Sequence, residues 1–264
     1  DTATTEIYTL SLNDALPIYW ESLVRRIKAK KKKKIKIAIV GKYFGSGGSV
    51  LNDSYHALFH SIHHAGLVAD AEVEIMGINS EKEERNITKL LKDVNGIIVP
   101  IGWGSRGIDG KLKAIKYARE NKVPYLGLCY GMQLACVEYA RDMIGWKDAH
   151  TEEVDKKTKH KIIHSIPFDS KYQVIKGEGT SMRLGTYPCV VKKGSLIFDI
   201  YKKHMPNDAK FDKNGNLVVQ ERHRHRFEFN NEYREELEKA GMVFSGTSPD
   251  NFFVEMIELP KKLH

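Results

Sequence analysis

The sequence predicts an α/β fold, a doubly wound and mainly parallel sheet with helices on both faces, from three observations. Short apolar, β-branched runs recur through the first half: Ile35–Val40, Ala71–Gly77, Gly96–Pro100 and Val123–Leu128. Helix-length segments separate them, and Gly or Pro punctuates the junctions. The 264 residues are 41% hydrophobic and 29% charged, the profile of a folding chain and not of a disordered one. Alternation of this kind builds βαβ units, whose ligands bind beyond the carboxyl ends of the strands.

Taken in order, Ile35–Val40 (IKIAIV) ends at Gly41 and reads as a buried first strand. Asn52 or Asp53 caps a helix running to Ala65 and closed by Gly66. Ala71–Gly77 is the second strand, and Ser80 with Glu83 forms a capping box that opens a helix to about Lys92. Gly96–Pro100 is the third strand, Ile108–Asn121 a helix, Val123–Leu128 the fourth strand and Gly131–Ile144 a helix. After Asp155 the pattern breaks into shorter pieces. Met182–Lys192 and Leu217–Phe229 read as extended, Asn231–Lys239 as a capped helix ended by Gly241, and Met242–Ser245 with Phe252–Leu259 as a strand pair. The sequence carries no internal repeat, and low complexity is confined to its lysine run.

The net charge is +8, but residues 25–36 carry nine basic side chains and no acidic one, so everything else sums to −1. Such a run reads as a solvated, locally disordered tag, and nucleic-acid or anionic-surface binding is not expected. Three cysteines, Cys129, Cys136 and Cys189, are too few for a disulfide scaffold and fit a reducing, cytoplasmic compartment. No apolar run is long enough to span a membrane. Asp1–Ile18 lacks the design of a signal peptide. It resembles the one-frame translation of a sequencing-library adapter, apart from Asn13, and is expected to be a non-native scar. Residues 19–34 then read as a linker and 35–264 as one domain.

The chemistry centres on Gly127-Leu128-Cys129-Tyr130-Gly131. A strand ends, a nucleophile-capable residue follows, and glycines at −2 and +2 allow the tight turn that exposes its side chain above the sheet. The amides at the start of the next helix favour a thiolate, and the Tyr130 N–H is positioned as an oxyanion donor. Cys136, two helical turns on, reads as a buried core cysteine. Gly102-Trp103-Gly104-Ser105-Arg106-Gly107 is formally a dinucleotide fingerprint, but residues 122–131 hold none of the acidic residues that it requires. Instead Gly102 can offer an N–H toward the elbow.

In Glu221–Glu228 (ERHRHRFE) the strand period puts Arg222, Arg224 and Arg226 on one face and His223 and His225 on the other. That pattern serves an anion clamp or a solvated strand better than a metal site, and no metal is expected. His60, His63 and His64 read as a solvated helix surface. Gly41–Ser49 is glycine-rich but lacks the order of a phosphate-binding loop.

GLCYGMQLACVEYARDMIG, DAHTEEVD, GTSMRLGTYPC, ERHRHRFEFNNEYREEL and FSGTSPDNFFVEMIELP occur in this order. From about Tyr19 to His264 the chain resembles the class I glutamine amidotransferase (glutaminase) domain of CTP synthases. The resemblance implies a flavodoxin-like fold and cleavage of L-glutamine through a γ-glutamyl thioester on Cys129. It places Gly102 and Tyr130 at the oxyanion hole, and Gly131, Met132 and Gln133 in the rest of the glutamine-binding loop. Glu153 matches the acid that holds the substrate amino group, and Arg226 the arginine of the same site. Ile101 replaces a family glycine and is expected to stiffen the oxyanion loop. Tyr130 replaces a leucine and is expected to matter less.

The resemblance further implies an ammonia-consuming synthetase domain that uses ATP and Mg to aminate UTP, GTP as activator, a homotetramer, and no cofactor in the glutaminase domain itself. Its base and orienting acid come from a His-Pro-Glu segment after a strand equivalent to Phe252–Leu259. The sequence stops at Leu263-His264 before any such segment, so the domain reads as truncated and its turnover is expected to be essentially nil, with His223 or His225 the first suspects if a base is present after all. The competing readings are another class I glutaminase, of GMP or purine synthesis, or a catalytically incomplete pseudo-glutaminase with a binding or regulatory role.

Overall fold

The structure, a computed structural model, describes residues 16–30, 33–44, 52–166, 175–177, 180–205 and 209–260. Asp1–Ala15, residues 45–49 of the glycine-rich segment and His264 lie outside them.

Helix α1 (Leu16–Lys28) precedes β1 (Lys33–Gly41), which is followed by a 3₁₀ turn (Asn52–Tyr55), α2 (His56–Val68) and β2 (Ala71–Asn79). A one-turn α3 (Ile87–Leu90) leads to β3 (Gly96–Val99), α4 (Ile108–Asn121), β4 (Tyr125–Gly127) and α5 (Tyr130–Tyr139), the last extended by a π turn over Ala140–Ile144. These four strands form one parallel sheet in the order β2-β1-β3-β4.

The doubly wound character follows from alternation along the central strands. Ala38, Val40, Ile97 and Val99 point to one face, where they pack with Ile108, Leu112 and Ile115 of α4 and Leu134 and Val137 of α5. Ile39 and Ile98 point to the other, against Tyr55 and Ile62 and the partly buried Leu58 and Phe59 of α2. A strand buried on both faces must be apolar throughout, which is why IKIAIV and GIIV are so legible.

The second half is built differently. Two-residue β5 (His150–Thr151), β6 (Lys161–Ser165) and β11 (Phe227–Phe229) form a small sheet in the order β11-β6-β5. Strands β7 (Ile175–Gly177), β8 (Thr180–Val191), β9 (Lys210–Phe211), β10 (Leu217–His225), β12 (Val243–Thr247) and β13 (Val254–Glu258) form the other, with path β13-β12-β8-β10-β9 and β7 paired to β8. The pairings among the described strands of this sheet are antiparallel. Helices α6 (Leu196–His204) and α7 (Arg234–Lys239) complete the chain, α7 following a 3₁₀ turn at Asn231–Tyr233.

Several expectations change. The basic run is not uniformly disordered: Arg25, Arg26 and Lys28 lie in α1, and Lys33, Lys34 and Lys36 in β1, which therefore begins inside the expected linker. Residues 80–86 form turns and no helix. Asn79 Oδ1, not Ser80, accepts from the Glu81 and Lys82 amides, an Asx turn that competes with the capping box. Gly66 does not close α2 but is buried within it, where a Cβ would lie 2.6 Å from Val73 Cγ2. Finally, Leu217–Phe229 is broken at Arg226 into β10 and β11, which belong to different sheets.

Candidate active site

Cys129 sits between β4 and α5 with φ +54° and ψ −102°, a backbone conformation that costs free energy for any residue with a Cβ. Its two glycines explain how the turn closes. A Cβ on Gly131 would stand 2.0 Å from the Val99 carbonyl oxygen, and one on Gly127 would stand 2.6 Å from the Gly131 carbonyl carbon. The turn is fixed by Leu128 N–H donating to Val99 O (2.9 Å), Gly131 N–H to Leu128 O (3.0 Å) and the Tyr125 hydroxyl to Gly131 O (2.9 Å). The half-buried Cys129 side chain faces a cavity of about 770 Å³ shared with Ile101, Met132, Arg222, His223, His225 and Glu255. The other thiols are unlike it. Cys136 and Cys189 are wholly buried, and burial pushes Cys136 up to about 12 and raises Cys189 further above its ordinary value.

The expected oxyanion positions come together: a Cβ built on Gly102 would lie 3.6 Å from the Tyr130 ring and 3.3 Å from Lys111 Nζ. The departure at Tyr130 is a structural asset that leucine could not supply. The side chain is buried, and its hydroxyl donates to Gly104 O at 2.9 Å, tying the 102–104 loop to the start of α5. Glu153 holds the same loop from outside, accepting the Gly104 N–H at 3.1 Å. Burial raises the Glu153 pKa, while the Gly104 N–H and the Lys42 charge work against that rise. Lys42 Nζ in turn donates to the Trp103 carbonyl. Ile101 is half exposed at the cavity rim.

Not every expected residue contributes its side chain to the cavity. Gln133 is buried, and its amide donates to Phe227 O at 2.8 Å, stapling α5 to β11. Arg226 occupies the break between β10 and β11, where its carbonyl accepts from Ile166 N–H at 3.0 Å. His60, His63 and His64 lie exposed on α2.

Sequence reasoning assigned no role to Lys111 or Glu228, and it named His225 only as a suspect. The one advance signal was the alternation in ERHRHRFE, which turns His223 and His225 inward while Arg222 and Arg224 stay exposed. His225 lines the same cavity as Cys129, and its Nδ1 stands 3.1 Å from Glu228 Oε1. Behind it the buried Arg183 joins Glu228 (2.9 Å) to Glu255 (2.7 Å), and Glu255 contacts His223 Nε2 at 2.5 Å.

Comparison with known proteins decides the family. Residues 50–264 match the model for "Glutamine amidotransferase class-I". The chain belongs to the class I glutamine amidotransferases. It is 46% identical over 241 residues, 91% of its length, to a CTP synthase of Listeria innocua serovar 6a, and 42% identical over 251 residues, 95% of its length, to one of Bacillus subtilis strain 168. It spans 41% and 43% of the lengths of these curated relatives. Among solved structures it is similar to the Trypanosoma brucei CTPS glutaminase domain with bound acivicin, with a TM-score of 0.72 and 34% identity over 86% of this chain and 81% of that one. As an amidotransferase of this family, the chain has the α/β architecture read from its strand pattern, with an antiparallel sheet and a small mixed sheet added. No helix among the described residues is long and apolar enough to cross a membrane.

Proposed function

We propose that this chain is the glutaminase domain of a cytoplasmic CTP synthase, cleaving L-glutamine through Cys129 to supply ammonia for the amination of UTP. The strained elbow carries the reading. A cysteine held at φ +54° with a helix N-terminus below it and the Gly102 loop beside it is arranged for attack on a carbonyl carbon. In that attack sulfur forms a bond to the carboxamide carbon, and the Gly102 and Tyr130 N–H groups receive the developing oxyanion. Gly131, Met132 and Gln133 shape the rest of the loop, Glu153 takes the substrate amino group, and Arg226 completes the glutamine site. By the same reading, ATP and Mg act in a synthetase domain outside these residues, GTP activates glutamine cleavage, and the intact enzyme is a homotetramer.

Residues 1–264 contain no His-Pro-Glu sequence, so turnover by this chain alone is expected to be very low. Glutamate release is the test, compared between this chain, a Cys129→Ala variant and a chain extended by the segment that follows Leu259 in a full-length relative. The extended chain should exceed this one by about a hundredfold or more, since losing members of a catalytic triad costs orders of magnitude. Comparable rates would overturn the expected low turnover, and release that survives Cys129→Ala would overturn the glutaminase assignment.

A further inference from the structure

The solvent face of α2 carries four exposed histidines, His56, His60, His63 and His64. At 3.6 residues per turn they fall within roughly 100° of arc. Two of them meet. His56 Nε2 and His60 Nε2 stand 3.0 Å apart, with ring centroids separated by 4.3 Å and ring planes at 71°. The next pair along the stripe is looser, the His60 and His64 centroids lying 6.3 Å apart. The helix beneath is fixed: Tyr55 and Ile62 are buried with Ile39 and Ile98, and Gly66 lies against Val73. The His56 and His60 backbones therefore hold their spacing, and only side-chain rotation can separate the rings. The solvated surface expected of His60, His63 and His64 is what the structure shows, but the close pair depends on His56, to which sequence reasoning gave no role.

We propose that His56 and His60 form a bidentate site for a divalent transition-metal ion of the nickel and copper class. An imidazole nitrogen binds such an ion at about 2.0–2.1 Å, so two nitrogens 3.0 Å apart subtend roughly 90–97° at the ion. That is the angle between neighbouring ligands in square-planar and octahedral coordination, whereas a tetrahedral zinc site needs about 3.3 Å between them. Nickel and copper also stand above manganese, iron and cobalt in affinity for nitrogen ligands. A direct hydrogen bond between the two nitrogens requires one of them to carry a proton. Moving that proton to Nδ1 frees both Nε2 lone pairs for one ion. The spacing His56-Ala57-Leu58-Phe59-His60 is the i, i+4 spacing of paired histidine ligands on the helix of a metalloprotease, but Ala57 stands where those enzymes carry their glutamate base. The site therefore binds and does not hydrolyse. Among the described residues no group of three or more His, Cys, Asp or Glu is placed to hold a metal, so water fills the other positions on the ion. Once bound, the ion cross-links the first and second turns of α2. Its binding does not depend on glutamine chemistry at Cys129.

Isothermal titration calorimetry with nickel(II) chloride tests this on the full 264-residue protein, stripped of metal beforehand, for the parent, His56→Asn, His60→Asn and His64→Asn. The parent should bind nickel saturably. Loss of either ring should weaken binding about tenfold or more, because the second ligand of a chelating pair acts at a high effective concentration, while His64→Asn should stay within about twofold. Saturating nickel should raise the melting temperature of the parent by mass action on the folded helix and leave that of His60→Asn unchanged. Without metal the variants should melt with the parent, because each substituted ring is exposed. If His60→Asn melts early, His60→Gln takes its place. Nickel binding by His56→Asn or His60→Asn within about twofold of the parent overturns the proposal, as does a parent that shows no saturable binding at about 1 mM nickel. Zinc(II) bound more tightly than nickel would overturn the choice of metal class.

Discussion

Lys111 is a buried cation whose ammonium finds no hydrogen-bond partner among the described residues. It lies in α4, and the nearest ring is that of Tyr130 at 5.1 Å. Burial, helped by the Lys42 charge and opposed by Cys129, lowers its pKa from 10.5 to about 8. The unfolded chain therefore keeps this proton up to pH 10.5, whereas the folded one releases it near pH 8. Stability rises with pH wherever the unfolded state binds more protons, so this group makes the protein about 3 kcal/mol more stable above pH 10.5 than below pH 8. Replacing a buried, unpaired ammonium by an apolar group of similar length removes that penalty. Lys111→Met should accordingly raise unfolding stability at pH 7 by up to about 3 kcal/mol and lose the advantage by pH 10.5. Urea denaturation at both pH values checks this, and an equal gain at the two would show that packing, not charge burial, sets the difference.

Among the elements, the β4–α5 elbow is the joint on which the site depends, and its tolerance can be tested by adding one methyl group. Gly131→Ala would drive a Cβ to 2.0 Å from the Val99 carbonyl, which β3 holds in place. Gly104→Ala would meet nothing within 4 Å and would cost only the strain of φ +73°. Thermal or denaturant unfolding should show a loss of about 3 kcal/mol or more for Gly131→Ala, against about 1 for Gly104→Ala. Similar losses would mean that the elbow can slide away from β3. The same elements show what a sequence can disclose. The elbow was legible because its requirements are local: two glycines, a thiol and a helix start within five residues. The parallel strands were legible because burial on both faces demands unbroken apolar runs. The Ser80–Glu83 capping box failed because both of its amides are taken by backbone carbonyls, Ser80 N–H by Gly41 O and Glu83 N–H by Asn79 O. The pairing of β6 with β11 left no local signature, and neither did the approach of His225 to Cys129. Both depend on where a strand from the last third of the chain is laid, which periodicity alone does not specify.

At the scale of the whole molecule, the charge distribution and the N-terminal helix together define where the fold begins. The nine basic residues of 25–36 are shared between α1 and β1, and their ion pairs with β2, Lys34–Glu72 at 3.9 Å and Lys36–Glu74 at 3.5 Å, are largely exposed. Such pairs contribute little to stability. Helix α1 is anchored more specifically: Arg26 Nη2 donates to the Leu67 carbonyl at 2.9 Å and to that of Val68 at 3.3 Å, satisfying two of the carbonyls that the end of α2 leaves open. That anchor lies in the last turn of α1, whereas Leu16, Pro17 and Ile18 form its first. If Asp1–Ile18 is foreign to the domain, removing it leaves Arg26 and its partners in place and takes away only a turn that can fray. Deletion of Asp1–Ile18 should therefore shift the melting temperature by less than about 2 °C, while Arg26→Ala in the same background should lower it by a further few degrees. A loss of about 4 °C or more from the deletion alone would correspond to over 1 kcal/mol for a chain of this size, and would mean that these residues belong to the fold.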